Sequence, residues 1–324
     1  MPPCASDQRP TKTYESICEH LQQILPEPQY ISITHILAVA AGQVLEDFPK
    51  SPPVTPSNNR VDSYFGDQTV FTHAAQVPVH HDFRAPGAEL PVPIQRHIMS
   101  AEANLTLIER YIPPTTRDEL VDFFNVHSYR SYLADRLTEL AVGSGSLLLV
   151  YPTRRGGQTF ARNYLAPILD PLLREMTILK GLNTNAAERL GRMRALESMF
   201  EYDALKSRIE EFCTAMNAMN ARPNTRQLRS AYVVTHHDTA NVVLDRNTWM
   251  TWFIEQEQQR MKQDLVEYHR DGGKLPEGGR NKSELTAGML TREIVESLRK
   301  STTTAGTVGI EVGVFVIRRT RQRQ

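Results

Sequence analysis

The stretch that decides the fold is Glu119–Thr159, ELVDFFNVHSYRSYLADRLTELAVGSGSLLLVYPTRRGGQT. At its centre lies Ser146-Leu147-Leu148-Leu149-Val150-Tyr151-Pro152. This short apolar run enters through Gly143-Ser144-Gly145 and ends at Pro152, the pattern of a buried strand. A helical pattern precedes it at Ser131–Val142, and another follows at Phe160–Met176, where Pro167 and Pro171 are expected to kink or break it. Helix, glycine turn, apolar strand, polar glycine loop and helix make the repeating unit of a parallel α/β sheet. Such sheets bind ligands at the C-terminal ends of their strands.

Upstream of the centre two readings compete. Thr116 followed by Glu119 is a capping box and starts a helix. Leu120-Val121-Asp122-Phe123-Phe124-Asn125-Val126 is rich in strand formers and reads as a strand. The sequence leaves both open.

Working outward, Thr13–Leu25 carries Ile17, Leu21, Ile24 and Leu25 at helical spacing. Tyr30–Val39 reads as a strand running into the small-residue turn Ala40-Ala41-Gly42, or as the start of a buried helix. Residues 47–93 hold eight prolines and form a long irregular region. A stretch of that kind is a mobile insertion or a functional loop, with Val70-Phe71 and Val77-Pro78-Val79 as short edge strands. Ile94–Tyr111 has an amphipathic helical pattern through Ile94, Ile98, Leu105 and Ile108.

Asn185–Ala221 is helical, divided near Gly191 and near Tyr202-Asp203. Ala231–Thr235 and Asn241–Asp245 read as two strands of a hairpin around His236-His237-Asp238. Thr248–His269 and Ser283–Lys300 are helices, and Gly309–Ile317 is the last strand. The expected organisation is a disordered 1–11, one α/β domain over 12–317 with the irregular insertion 47–93 and a helical insertion 185–221, and a basic tail 318–324.

Composition narrows the function classes. The 324 residues carry 37 Lys+Arg and 37 Asp+Glu. Zero formal net charge gives no global argument for nucleic acid or a membrane surface as partner. With 40% hydrophobic and 23% charged residues the chain has the composition of a globular protein. Cys4, Cys18 and Cys213 make no CxxC pair and fit a reducing compartment. No apolar run has the length of a membrane span, and MPPCASDQRPTKTYE lacks the apolar core of a signal peptide, so cytosol or nucleus is expected. Two Asn-x-Ser/Thr sequons, at Asn104 and Asn281, are read as coincidental in that setting.

The pattern resembles the class I S-adenosylmethionine-dependent methyltransferases. In that family a mid-chain strand is followed by a helix, a glycine turn and an apolar strand, and an antiparallel strand near the C-terminus closes the sheet. Leu120–His127 resembles the first strand, Ser131–Val142 the helix, Gly143-Ser144-Gly145 with Leu147–Tyr151 the turn and second strand, and Gly309–Ile317 the closing strand. The resemblance implies a Rossmann-like, mostly parallel sheet with helical insertions and a long Pro-rich loop. It implies S-adenosylmethionine as cofactor and a small-molecule or protein acceptor. Its early strand and glycine turn match Ile36–Gln43, with one glycine where the family carries several. Cofactor contacts would then come from Ala40, Ala41 and Gly42, and from Asn125, Val126 and His127. The alternative is a non-catalytic α/β scaffold or complex subunit with a degenerate site, presenting the helices of 185–221 and 248–300 to a partner.

Other constellations are weaker. Tyr151–Thr159 has the setting of a phosphate-binding loop, but Pro152 stands at the first glycine and Gln158 at the lysine, so the ordinary reading is a polar turn. His80-His81-Asp82 and His236-His237-Asp238 would hold a metal only if they converged, since adjacent histidines on an extended chain point to opposite faces. No Ser-His-Asp arrangement, GxSxG or HExxH occurs. Cys213, Trp249, Trp252 and Phe253 lie at core-type helical positions, and the terminal arginines read as a solvated end.

Overall fold

The computed structural model describes residues 31–40, 70–79, 103–128, 131–220, 230–278, 283–301 and 308–321, with His20 and Ile24 helical. The chain divides into two compact units, residues 2–95 and 96–324. In the first, β1 (Ile31–Ala40) pairs in parallel with β2 (Val70–Val79), from Ile31 opposite Val70 to Ala40 opposite Val79. The two short strands expected within the Pro-rich region are thus the ends of one strand, β2.

The second unit is built on a mixed four-stranded sheet. Its first strand, β3 (Leu105–Glu109), lies in a segment whose spacing predicts a helix over Ile94–Tyr111. The apolar run Leu105-Thr-Leu-Ile pairs in parallel with the central strand, Leu107 opposite Leu148, and strand pairing overrides the helical spacing there. Next come α1 (Arg117–Phe123) and α2 (Tyr132–Thr138). The strand expected over Leu120–Val126 is therefore absent, and the capping reading holds. The Thr116 Oγ1 accepts from the Glu119 N–H at 3.1 Å, fixing the first turn. Leu120 and Phe123 then fall on one buried face. Ser131 caps α2 in the same way, accepting from the Ala134 N–H at 3.3 Å.

The central strand β4 is Ser146–Pro152, as its sequence predicts. The polar loop expected after it is a helix instead. Thr153 accepts from the Gly156 N–H at 3.1 Å and starts α3 (Arg154–Thr159). A π-helical stretch, Phe160–Leu165, leads into α4 (Ala166–Lys180). Pro167 has no N–H to give to the preceding turn, so the ladder widens just before it rather than breaking. Gly181, at φ 71°, ends α4 in the left-handed region. Then follow α5 (Thr184–Gly191) and α6 (Tyr202–Asn220), divided at the two expected places.

The hairpin around His236–Asp238 does not form. One strand, β5 (Ser230–Val242), runs straight through with a bulge between Val234 and His236. No glycine or Asn-Gly pair stands there to turn the chain, and the long last strand offers a partner along its whole length. The helix α7 (Arg246–Arg270) comes next, then the short pair β6 (Glu277–Gly278) and β7 (Ser283–Glu284), then α8 (Ala287–Lys300). The final strand β8 (Ile310–Arg321) is antiparallel, as the resemblance implies, and takes in Arg318–Arg321, which the sequence reads as tail.

The strand order is β3-β4-β8-β5. β3 and β4 are parallel, and β8 runs antiparallel to both β4 and β5. It follows that β3, β4 and β5 share one direction and β8 opposes them. The sheet is mixed, not mostly parallel. Side chains alternate across it. Leu147, Leu149, Tyr151, Phe315 and Ile317 pack with α1, α2 and α6, while Val150, Ile310 and Val312 pack with α4, α5, α7 and α8. Helices thus cover both faces, which is why β4 reads as an unbroken apolar run. Each fully buried leucine of that run contributes about 2 kcal/mol by burial.

Candidate functional site

β3 and β4 end side by side, and β8 begins where β4 ends, with Pro152 opposite Val312. Arg110 leaves the end of β3. Its Nη1 donates to Glu119 Oε1 at 2.7 Å and its Nη2 to Gln256 Oε1 at 2.9 Å. Its Nε donates to the Ile112 carbonyl at 3.1 Å. Glu119 Oε2 accepts the Thr115 N–H at 2.9 Å, and Gln256 Nε2 donates to the Pro113 carbonyl at 2.8 Å. The chain from Arg110 to Pro114 is thereby pinned across the strand ends, between the first turn of α1 and the middle of α7.

Electrostatics follow from this pairing. Burial disfavours the Arg110 charge, but Glu119, with Tyr151 and Glu257 nearby, holds its pKa above the usual value. Burial would likewise raise the Glu119 carboxyl, yet Arg110 and the Thr115 N–H hold it below the usual range. Beneath them lies Tyr151, 1% exposed, its hydroxyl without a hydrogen-bond partner among the described residues. Burial pushes that hydroxyl's pKa upward.

The polar network continues along α7. Gln256 donates to Glu257 Oε1 at 3.0 Å, and Arg260 Nε donates to Glu257 Oε2. Arg260 Nη1 donates to Asp264 Oδ2 at 2.6 Å, and its fork also reaches the carbonyls of Arg189 and Leu190, both at 3.1 Å. Arg194 closes the chain on Asp264 Oδ1 at 2.6 Å. Burial raises the Asp264 carboxyl even against these two arginines.

At the end of β4, Thr153 Oγ1 donates to Glu311 Oε1 at 2.7 Å, and Arg155 lies 3.6 Å from the same carboxylate. Gly156 is pressed on the Glu311 carbonyl, and Gly157 on Leu196 and Met199. Gly156 serves close packing of helix on sheet, and Gly157 close packing against the Leu196–Met199 segment. An open groove of about 190 Å³ lies nearby, lined by Ala161, Leu165, Leu169, Asp170, Gly191 and Met193. It is smaller than the usual small-molecule site, and its lining includes none of the strand-end polar groups.

The residues expected to hold a cofactor fall in different units of the chain. Ala40 ends β1 in the first unit, while Ala41 and Gly42 fall outside the described residues. Asn125, Val126 and His127 are not a strand end. They form a turn after α1 in which Asn125 Oδ1 accepts the His127 N–H at 3.1 Å, and Ser128 binds Asp122 at 2.7 Å. His80–Asp82 lies outside the described residues. His236, His237 and Asp238 are exposed on β5, and among the described residues no group of three or more His, Cys, Asp or Glu could hold a metal ion. The polar groups that do meet are Arg110 with Glu119 and Gln256, and separately Thr153 with Glu311; apart from the capping spacing of Glu119, no sequence spacing announces them. They meet only through strand pairing and the return of α7. Among the described residues no helix is long and apolar enough to cross a membrane.

Compared with known proteins, the chain matches no family model and no curated protein.

Proposed function

We propose that the protein is an S-adenosylmethionine-dependent methyltransferase-like α/β protein with a Rossmann-like sheet, acting on a small-molecule or protein acceptor. The observation that supports this is the chain order. A strand, helices, the Gly143-Ser144-Gly145 turn and a parallel neighbour come in sequence, and the last strand, antiparallel, lies between β4 and β5. The first strand of that order is Leu105–Glu109 rather than Leu120–His127. The reading assigns the cofactor to Ala40, Ala41 and Gly42, as the resemblance implies. The sulfonium supplies an activated methyl group, and the protein's part is alignment more than proton transfer. Calorimetry with S-adenosylmethionine tests the reading: saturable binding that Gly42→Asp abolishes is expected. Absence of binding at millimolar ligand would overturn it.

A second reading, a non-catalytic scaffold or complex subunit, draws on a different observation. Ile178 and Leu179, adjacent at the end of α4, are 73% and 72% exposed, and two neighbouring exposed aliphatics suit a partner surface. The same titration separates the readings, since a scaffold binds no S-adenosylmethionine.

A further inference from the structure

The edge strand β5 carries a feature that the fold does not use. Among the described residues no strand pairs with its outer edge. Near its start that edge is covered: the Asn217 side chain accepts the Tyr232 N–H at 2.7 Å and donates to the Tyr232 carbonyl at 3.0 Å. Further along, from Thr235 to Thr239, every side chain is exposed. An exposed edge of this length is a template for another strand.

The sequence over this edge is Val234-Thr235-His236-His237-Asp238-Thr239-Ala240. It is nearly a palindrome in chemical type about His237. We propose that β5 pairs with β5 of a second copy of this chain, antiparallel about a two-fold axis at His237. In that register His236 faces Asp238 of the second copy, and by symmetry Asp238 faces its His236. Thr235 faces Thr239, and Val234 faces Ala240. Imidazole opposite carboxylate, threonine opposite threonine and aliphatic opposite aliphatic are the favourable cross-strand pairs of antiparallel sheets. A two-fold interface must be self-complementary, and here the imidazole–carboxylate pair occurs twice.

The local structure prepares these side chains. His237 Nδ1 lies 3.1 Å from the Tyr202 hydroxyl, which fixes its ring. Asp238 Oδ1 accepts the Thr239 N–H at 2.7 Å, leaving its second oxygen for a partner. Thr235 sits at the bulge and ties its hydroxyl to the Val316 carbonyl at 3.2 Å. The bulge bends the strand there, so pairing centres on residues 236–239 and the dimer is weak and concentration-dependent. Pairing would join the sheets of the two copies edge to edge.

Sedimentation velocity of the full chain over a range of concentrations reads the association. A shift from monomer to dimer with rising concentration is expected. Asp238→Lys sets lysine against His236, and His236→Asp sets aspartate against aspartate; each loses the dimer. The double variant His236→Asp with Asp238→Lys restores opposite charges and restores it. In a Cys4→Ser, Cys18→Ser background, His237→Cys brings two sulfurs together across the axis, where paired Cα atoms lie about 5.5 Å apart. It forms an intermolecular disulfide on mild oxidation, whereas Val233→Cys, far from its own symmetry mate, does not. A chain that stays monomeric at every concentration overturns the proposal. So does a dimer indifferent to Asp238→Lys, or equal cross-linking of His237→Cys and Val233→Cys.

Discussion

Gly156 rests on the backbone of Glu311 so closely that a Cβ built on it would lie 1.9 Å from the Glu311 carbonyl oxygen. The neighbouring Gly157 is crowded as well, but by the ends of side chains: its Cβ would lie 2.8 Å from Leu196 Cδ1 and from Met199 Sδ. Backbone cannot swing aside, and side-chain ends can. Gly156→Ala is therefore expected to cost about 3 kcal/mol, the upper end of overpacking in a tight core. Gly157→Ala stays within about 1 kcal/mol, because alanine's helix propensity offsets the crowding. Urea unfolding of the two variants measures the difference, and equal stabilities would contradict the close seating of α3 on β8.

Arg110 and Glu119 form the ion pair at the end of β3. The glutamate side chain is 40% exposed, so solvent screens the pair and Glu119→Gln costs only about 1 kcal/mol. The pH dependence carries the sign. The folded Glu119 carboxyl lies below its ordinary value of 4.5. Its contribution is fully present above that value and is lost as pH falls through the lowered folded pKa. The gap between parent and Glu119→Gln should be constant near neutrality and close in acid. A gap that persists at the lowest pH where both fold would show that the glutamate acts by packing and not by charge.

What the sequence carries of this fold follows from burial. β4 is legible because both its faces are covered, so every position from Leu147 to Tyr151 had to be apolar. α1 is legible only in part. Its cap, Thr116 with Glu119, points to a helix, while Leu120, Val121, Phe123 and Phe124 carry strand propensity. The cap prevails because Leu120 and Phe123 fall on one buried helical face. β5 misleads for the opposite reason: an edge strand with an exposed polar middle has the composition of a turn. The strand-end polar junction is the least legible. Arg110 and Gln256 are 146 positions apart, and only the return of α7 over β3 brings them together.

The Tyr151 hydroxyl is buried against Phe123 and Phe124 with no hydrogen-bond partner among the described residues. A desolvated hydroxyl left unpaired costs about 1–2 kcal/mol, so Tyr151→Phe should be neutral or stabilising by up to that amount. Differential scanning calorimetry of the single variant measures it. A clear fall in melting temperature would mean that the hydroxyl has a partner after all, such as an internal water.

Arg260 holds two buried carboxylates at once, Glu257 at 1% and Asp264 at 3% side-chain exposure. Removing the cation alone leaves Glu257 with the neutral Gln256 amide and Asp264 with the half-exposed Arg194. Arg260→Met should therefore cost about 3–5 kcal/mol, the range for breaking a buried pair from one side. The triple variant Glu257→Leu, Arg260→Met, Asp264→Leu removes the buried charges too and should recover most of that loss, with Arg194 turning into solvent and the Gln256 amide and the Arg189 and Leu190 carbonyls each losing one partner. The single variant also has a pH signature. Burial already raises the Asp264 carboxyl, and losing Arg260 raises it further. A carboxyl with a raised folded pKa binds its proton more tightly in the native state, so stability is gained as pH falls through that value. The deficit of Arg260→Met should shrink in mild acid, while the triple variant shows no such recovery. Denaturant midpoints for the three proteins across that range decide it, and a triple variant no more stable than Arg260→Met would mean that the network supports the packing of α7 on α5 rather than merely neutralising itself.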